Sequence, residues 1–189
     1  MQYINMEKKK KNFADKIKSA KSCYGAGGMQ RRKNPNRWRK DLAEFFEKNN
    51  IKLVNPVEDN KDIFSNSMMG FKAEGISYTL DDLLKVDPEK RIMMFKQTEE
   101  NELHFMENVD FQIFYLDESI GFGTMTEFRE NYERIKKPAI IIRNIDISEM
   151  AHWIEWRWFK MLKNGDAIEF RNFSDMREFF VNYLGFKKS

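Results

Sequence analysis

The stretch Phe111-Gln112-Ile113-Phe114-Tyr115-Leu116 decides the fold class of this chain. A short run that is nearly all apolar is typical of a strand buried on both faces of a parallel sheet. The run Ala139-Ile140-Ile141-Ile142 has the same character and follows a predicted helix over residues 124–135. Strands that alternate with helices of about 10–15 residues predict βα units around a parallel sheet.

The segments on either side of these two runs extend the same alternation. A helix is predicted to begin after Asn34-Pro35-Asn36, because Asn and Pro favour a first helical turn. Counting every predicted strand gives a five-stranded parallel sheet in a three-layer, flavodoxin-like (Rossmann-like) α/β fold. The other predicted strands cover residues 20–24, 51–54 and 167–170, and the other predicted helices cover 93–109, 148–162 and 174–184, the last one capped by Ser174.

Two parts of the chain fall outside this pattern. Residues 1–17 are rich in lysine and have no clear period, so we predict a basic amino-terminal extension. Residues 18–189 are then a single α/β domain, which suits the usual domain length of roughly 100–200 residues. Residues 57–91 are polar and are interpreted as an insertion or lid after the second strand, with a short helix near residues 80–84.

Composition excludes several classes of protein. Seventeen Phe and four Trp exclude a disordered chain, because disorder requires few aromatic residues. No run approaches the roughly 18 uninterrupted apolar residues of a spanning helix, and the amino terminus lacks the apolar core of a secretory signal. We therefore expect no membrane partner. The single Cys23 excludes an intramolecular disulfide and is typical of a reducing cytoplasm.

Net charge and the spacing of potential metal ligands give weaker evidence about function than composition does. A net charge of +3 is too small to indicate a nucleic-acid partner. His104 and His152 have no second His or Cys at ligand spacing, so we expect no metal and no cofactor. A basic cluster is interpreted either as a solvated helix start or as an attraction for an anionic ligand. It comprises Arg31, Arg32, Lys33, Arg37, Arg39 and Lys40.

Three loops are predicted at the carboxyl ends of strands, where parallel sheets bind ligands beside a topological switch. They cover residues 25–28, 55–56 and 117–123. The glycines of the first loop let backbone N–H groups approach a ligand, or they simply form a tight turn. Glu127 follows the third loop, where a helix dipole favours an ionised carboxylate. The alternative is a Glu that only stabilises its own helix.

These features, taken in order, resemble the nucleoside 2-deoxyribosyltransferase superfamily, including its nucleotide N-hydrolase and phage-type members. The resemblance covers about residues 19–142 and rests on the ordered set rather than on any single motif. The set comprises Tyr24-Gly25-Ala26-Gly27-Gly28-Met29, Trp38, Asn55-Pro56, Glu102-Leu103, Asp110, Gly123-Thr124 with Glu127, and Lys137-Pro138.

The resemblance implies an enzyme that cleaves or exchanges the N-glycosidic bond of a (deoxy)nucleoside or (deoxy)nucleotide. Glu127 matches the family's nucleophile, which attacks C1′ of the sugar. Glu102 matches the acidic residue that binds the sugar or protonates the base, and Asp110 completes the catalytic set. The implied substrate-binding residues are Tyr24, Gly25, Ala26, Gly27, Gly28, Met29, Trp38, Asn55, Pro56, Asp117, Gly121, Gly123 and Thr124.

Departures from the family pattern keep other functions open. Glu102 replaces the usual Asp, and Phe122 stands where Asp often precedes the Gly-Thr pair. One alternative is a non-catalytic nucleotide-binding or sensing module on the same fold. Another is a glycohydrolase acting on NAD or a nucleotide-derived signal, and transfer and hydrolysis both stay open. The family's assembly, with the aromatic residues of the 148–162 helix, predicts a homodimer or larger homo-oligomer.

Overall fold

The structure, a computed structural model, describes residues 2–27, 37–59, 71–72, 75–76, 87–117, 122–145 and 152–187. A π-helical turn, Asn131–Ile135, directly follows the helix Phe122–Glu130. The elements are α1 (Gln2–Ile17), β1 (Ser22–Gly27), α2 (Arg37–Glu47), β2 (Lys52–Val54), α3 (Pro56–Asp59), β3 (Phe71–Lys72), β4 (Gly75–Ile76), α4 (Pro88–Glu107), β5 (Phe111–Leu116), α5 (Phe122–Glu130), β6 (Ala139–Arg143), α6 (His152–Asn164), β7 (Ala167–Phe170) and α7 (Phe173–Leu184).

Five strands form one parallel sheet in the order β2-β1-β5-β6-β7. The short strands β3 and β4 pair with each other in a separate antiparallel ladder. Within the five-stranded sheet the order along the chain is 2-1-3-4-5, which is the flavodoxin-like arrangement. The predicted α/β fold is confirmed. The direction of winding reverses between β1 and β5, so the ligand-binding crevice of this fold lies at their carboxyl ends.

Alternating side chains of the central strands enter two separate cores. On β1, Cys23 joins the core shared with α1, α2 and α7, whereas Tyr24 and Ala26 join the core shared with α4, α5 and α6. On β5, Ile113 and Phe114 divide in the same way. Successive strand residues point to opposite faces, so a strand between two helical layers must be apolar at nearly every position.

Residues 2–17 differ from the predicted basic extension. They form α1, and its Phe13, Ala14 and Ile17 are buried in the main core, where Phe13 contacts the ring of Phe179. The apolar stripe is confined to three residues near the end of a lysine-rich helix, so no repeating period was visible in the sequence. Burial of this apolar stripe stabilises the packing of α1 against the rest of the domain.

Several boundaries also differ from the prediction. The strand β1 continues through Gly27 because its pairing with β5 extends that far. The helix α4 begins at Pro88, since the Asp87 side chain accepts hydrogen bonds from the first-turn N–H groups. Asn172, rather than Ser174, caps α7 by accepting from the N–H of Asp175. The helix predicted near residues 80–84 lies outside the described residues.

Candidate active site

Four polar side chains interact electrostatically close to the crevice between β1 and β5. Strand β1 supplies Tyr24, α2 supplies Arg39, α4 supplies Glu102 and α5 supplies Glu127. Tyr24 and Arg39 are fully buried, and Glu127 is 8% exposed. Glu102 is partly buried. Charged groups are seldom buried unless they are paired, so the cluster is a candidate site on physical grounds alone.

Glu127 is held by a direct hydrogen bond from β1. The Tyr24 hydroxyl donates to Glu127 Oε1 over 2.5 Å. Burial raises the pKa of Glu127 to about 7, although the Tyr24 hydrogen bond and the charge of Arg39 oppose that rise. Burial and the charge of Glu127 raise the pKa of Tyr24 well above its ordinary value. The phenol therefore stays protonated near neutral pH and keeps donating to the carboxylate.

Glu102 is the second carboxyl group of the cluster. Burial and then the negative charge of Glu127 raise the pKa of Glu102 to about 8, while Arg39 lowers it. Two carboxyl groups this closely coupled do not both ionise readily. Of the two, Glu127 accepts the Tyr24 hydrogen bond, which favours its ionised form. The structure thus brings together two of the three residues that were predicted to be catalytic.

Arg39 is a member of the site that the sequence analysis missed. Its Nε donates to the Gly25 carbonyl over 3.0 Å, and Nη2 donates to the Gly27 carbonyl over 2.8 Å. These carbonyls lie beyond Tyr24–Val54, the last residue pair between β1 and β2. The guanidinium also lies 4.4 Å from the centre of the Trp38 ring. Carbonyl dipoles and an aromatic face together stabilise the buried cation.

A signal for the burial of Arg39 was present in the sequence. Arg39 precedes Leu42 by three residues and Phe46 by seven, which places it on the buried face of α2. Its position within the basic cluster favoured solvent exposure instead. Arg37 of the same cluster is exposed, as the solvated interpretation predicted.

The glycines of β1 make room for an aromatic ring. A Cβ atom on Gly27 would lie 2.8 Å from Trp38 Cζ2, and one on Gly25 would lie 3.5 Å from Trp38 Cη2. The Trp38 indole packs against Tyr115 and Phe173 on the face of β1 opposite to Glu127. For Gly25, Gly27 and Trp38 the structure therefore gives a packing reason, and contact with a substrate stays a prediction.

The remaining predicted binding residues lie mainly at the carboxyl edge of the sheet. Asn55 and Pro56 directly follow β2, and Asp117 directly follows β5. Asn55 and Asp117 are buried, as is Thr124 in the first turn of α5. Ala26 is buried on the same face as Tyr24, whereas Gly123 is exposed. Gly28, Met29 and Gly121 lie outside the described residues.

Asp110 does not belong to this group of residues. It precedes β5, at the amino end of the sheet, and accepts from the N–H groups of Lys21 and Ser22 over 2.7 and 2.9 Å. The six residues of β5 separate it from the crevice by about 20 Å, at about 3.3 Å per residue. The hydrogen bond from Lys21 is the main cause of the lowered pKa of Asp110. The structure gives Asp110 a structural role, in which it joins β1 to β5, and its catalytic role stays a prediction.

We expect Asp110→Ala to lower the free energy of unfolding by about 1 kcal/mol, because two backbone donors lose their acceptor. The rate of any reaction catalysed at the crevice, per folded molecule, should stay unchanged. Urea unfolding and initial-rate assays measure the two quantities, and the exposed Asp15→Ala on α1 is the control. A rate that falls more than about tenfold with the fold intact would return Asp110 to the catalytic set.

The described ranges contain no group of three or more His, Cys, Asp or Glu side chains that could hold a metal ion. None of the helices described there has both the length and the apolar character needed to cross a membrane.

Comparison with known proteins gives similarities to solved structures only. No protein-family model matches the chain, and no curated protein sequence matches it. Among solved structures, the chain is similar to a 2-deoxyribosyltransferase from the psychrotolerant bacterium Bacillus psychrosaccharolyticus, with 16% identity and a TM-score of 0.47. The similarity covers 89% of this chain and 98% of that one. It is too distant to assign an activity or any residue role to this protein.

Proposed function

We propose that this protein cleaves or exchanges the N-glycosidic bond of a nucleoside or nucleotide, with Glu127 as the nucleophile. The main support is the pairing of a buried carboxylate, held by Tyr24, with a second carboxyl group of higher pKa. Substitution at the anomeric carbon of a sugar passes through an oxocarbenium-like transition state. An ionised carboxylate stabilises that positive charge and can bond to the carbon covalently.

The proposed reaction has two steps. Tyr24 occupies Oε1 of Glu127, so Oε2 attacks C1′. The bond between C1′ and the base nitrogen breaks, its electron pair stays on the base, and Glu102 donates a proton to the departing base. A second base or a water molecule then attacks C1′, gives its proton to Glu102 and releases Glu127 as a carboxylate.

The two carboxyl groups suit these opposite roles. A nucleophile must be ionised, and a general acid must carry its proton, at the same pH. Pairs whose surroundings separate their pKa values provide such a division of roles. Burial raises the pKa of both groups toward neutral pH, and the hydrogen bond from Tyr24 favours the ionised form of Glu127.

The test measures the release of free base from a panel of compounds, with chromatography as the readout, between pH 7 and pH 8. The panel contains ribo- and deoxyribonucleosides, their 5′-monophosphates and NAD, each with and without a second acceptor base. Release that requires the acceptor would identify transfer, and release without it would identify hydrolysis. Tight binding of one compound with no release from any would overturn the proposal in favour of a binding or sensing module.

The assembly and location of the protein also stay proposals. Of the aromatic residues on α6, Trp158 is buried, whereas Trp156 is 46% exposed and Phe159 is 50% exposed. The side chain of Trp153 lies outside the described residues. The exposed pair supports a homodimer or larger homo-oligomer, which sedimentation equilibrium would detect as a multiple of 22.8 kDa. The buried, unpaired Cys23 supports a cytoplasmic location.

A further inference from the structure

We propose that the side chains of Trp38, Tyr115 and Phe173, here called the aromatic trio, form the subsite for the nucleobase, and that the indole N–H of Trp38 donates a hydrogen bond to it. The identity of the ligand as part of a nucleoside or nucleotide rests on the proposed function. Binding of a base to the trio can be measured without turnover.

The three rings of the trio contact one another. The centre of the Trp38 ring lies 5.4 Å from that of Tyr115 and 5.6 Å from that of Phe173, and the latter two are 4.9 Å apart. Trp38 lies in the first turn of α2, Tyr115 near the end of β5, and Phe173 at the start of α7. Trp38 is 7% exposed, whereas Tyr115 and Phe173 are partly buried. The trio therefore presents aromatic surface at the margin of the core.

The trio lies at the crevice but on the other face of the sheet from Glu127. Tyr115 is paired with Gly27 in the last residue pair between β1 and β5, and ligands of this fold bind beyond the carboxyl ends of those strands. The trio packs on the core shared with α1, α2 and α7, whereas Tyr24, which holds Glu127, enters the opposite core. A two-part ligand across the strand ends can therefore contact Glu127 with one part and the trio with the other.

The indole N–H of Trp38 is an unsatisfied donor. Trp38 Nε1 is buried and has no hydrogen-bond partner among the described residues. A Cβ atom on Gly25 would lie 3.5 and 3.7 Å from Cη2 and Cζ3 of the indole, and one on Gly27 would lie 2.8 Å from Cζ2. Because Nε1 adjoins the Cζ2 side of the ring, the N–H end lies toward Gly27, the last residue of β1. The donor is thus at the end of the trio nearest the crevice.

A nucleobase satisfies both features of this subsite. Its planar face stacks on aromatic side chains, and its ring nitrogens and carbonyl oxygens accept hydrogen bonds. A sugar or a phosphate has acceptor oxygens but no aromatic face. A buried N–H without a partner is rare and costly, and an indole nitrogen can only donate, so an acceptor on the ligand is the group it lacks. Since Nε1 is covered in the structure, the rings must adjust as the base binds.

The test follows the indole N–H signals by NMR in protein labelled with nitrogen-15. The chain has four tryptophans, and Trp38→Phe identifies the signal of Trp38. Free bases and deoxynucleosides should move the Trp38 proton signal to lower field, because a hydrogen bond forms there. Ribose 5-phosphate, which carries no base, should leave it in place. The signal of Trp156, which is 46% exposed on α6, should not move with any of these compounds.

A second measurement tests the stacking. Phe173→Leu should weaken binding of the base by about fivefold or more, because ring surface is lost. Trp156→Leu is the matched control and should leave the Kd unchanged. An unchanged Kd in folded Phe173→Leu would overturn the proposal. So would a Trp38 signal that no base or nucleoside moves, or one that only ribose 5-phosphate moves.

These results do not depend on a variant that folds poorly. If Trp38→Phe does not fold, the indole signal is assigned in the wild type by its proximity to the backbone of Gly27. If Phe173→Leu does not fold, the shift of the wild-type Trp38 signal decides.

Turnover separates this proposal from the proposed function. In an active enzyme, Phe173→Leu should raise KM and leave kcat within about twofold, because the trio does not contact the reacting atoms. A base-dependent shift of the Trp38 signal without base release from any compound would support the subsite and overturn the glycosidic function. Base release with an unmoved Trp38 signal would overturn the subsite and support the glycosidic function.

Discussion

We expect Glu127→Gln to lower the rate of the proposed base release by at least about 10³-fold, because an amide cannot form the ester with C1′. Gln keeps the shape of the side chain and an oxygen that accepts from Tyr24. The loss therefore reports the missing nucleophile rather than a collapsed site. Initial rates on the best compound of the panel, with circular dichroism to verify the fold, measure the effect.

Glu130→Gln is the matched control for that measurement. Glu130 lies one turn further along α5, where Arg129 and Arg134 bind it at the surface. Its replacement should leave the rate within about twofold, because the side chain does not contact the reacting atoms. If Glu127→Gln retained more than about a tenth of the wild-type rate, Glu127 would not be the nucleophile.

The same Glu127→Gln variant should be more stable than the wild type above neutral pH. The pKa of Glu127 is about 7 in the folded protein and 4.5 when the group is unperturbed. Between these values the folded state binds more protons than the unfolded state, so wild-type stability falls as pH rises. At about 1.36 kcal/mol per pKa unit, the variant should gain on the order of 3 kcal/mol above pH 7 and little near pH 4.5.

Urea unfolding of both proteins at a series of pH values measures this difference. Glu130→Gln should show the opposite sign, because hydrogen bonds from Arg134 and then Arg129 lower the pKa of Glu130. Its carboxylate contributes stability that is lost as pH falls, and removing it costs a little at neutral pH. If the wild type and Glu127→Gln lost stability in parallel across the whole range, burial of the Glu127 charge would not be costly.

The fold could be predicted from the sequence because its decisive signal is local. Strands such as β5 and β6 must be apolar at nearly every position when helices cover both faces of a parallel sheet. That requirement is visible without knowing which residues touch. The apolar stripe of α1 covers only Phe13, Ala14 and Ile17, so its burial depends on a contact with the distant α7 that no local period reveals.

The site could be predicted only in part, for three separate reasons. Glu102 and Glu127 came from the family resemblance, and the structure brings their charges together. Arg39 was missed because its burial depends on the carbonyls of Gly25 and Gly27, which a basic cluster does not indicate. Asp110 also came from the resemblance, and its position before β5 puts it at the amino end of a parallel strand, so its catalytic role stays a prediction.

The unequal lengths of β1 and β2 have a consequence for how this protein behaves at high concentration. Beyond Val54, none of the described strands lies beside this edge of β1, and free carbonyls on such an edge can recruit a strand from another molecule. The Arg39 side chain occupies the carbonyls of Gly25 and Gly27 and thus blocks that route to aggregation. One buried arginine therefore covers two carbonyls at which edge-to-edge association could begin.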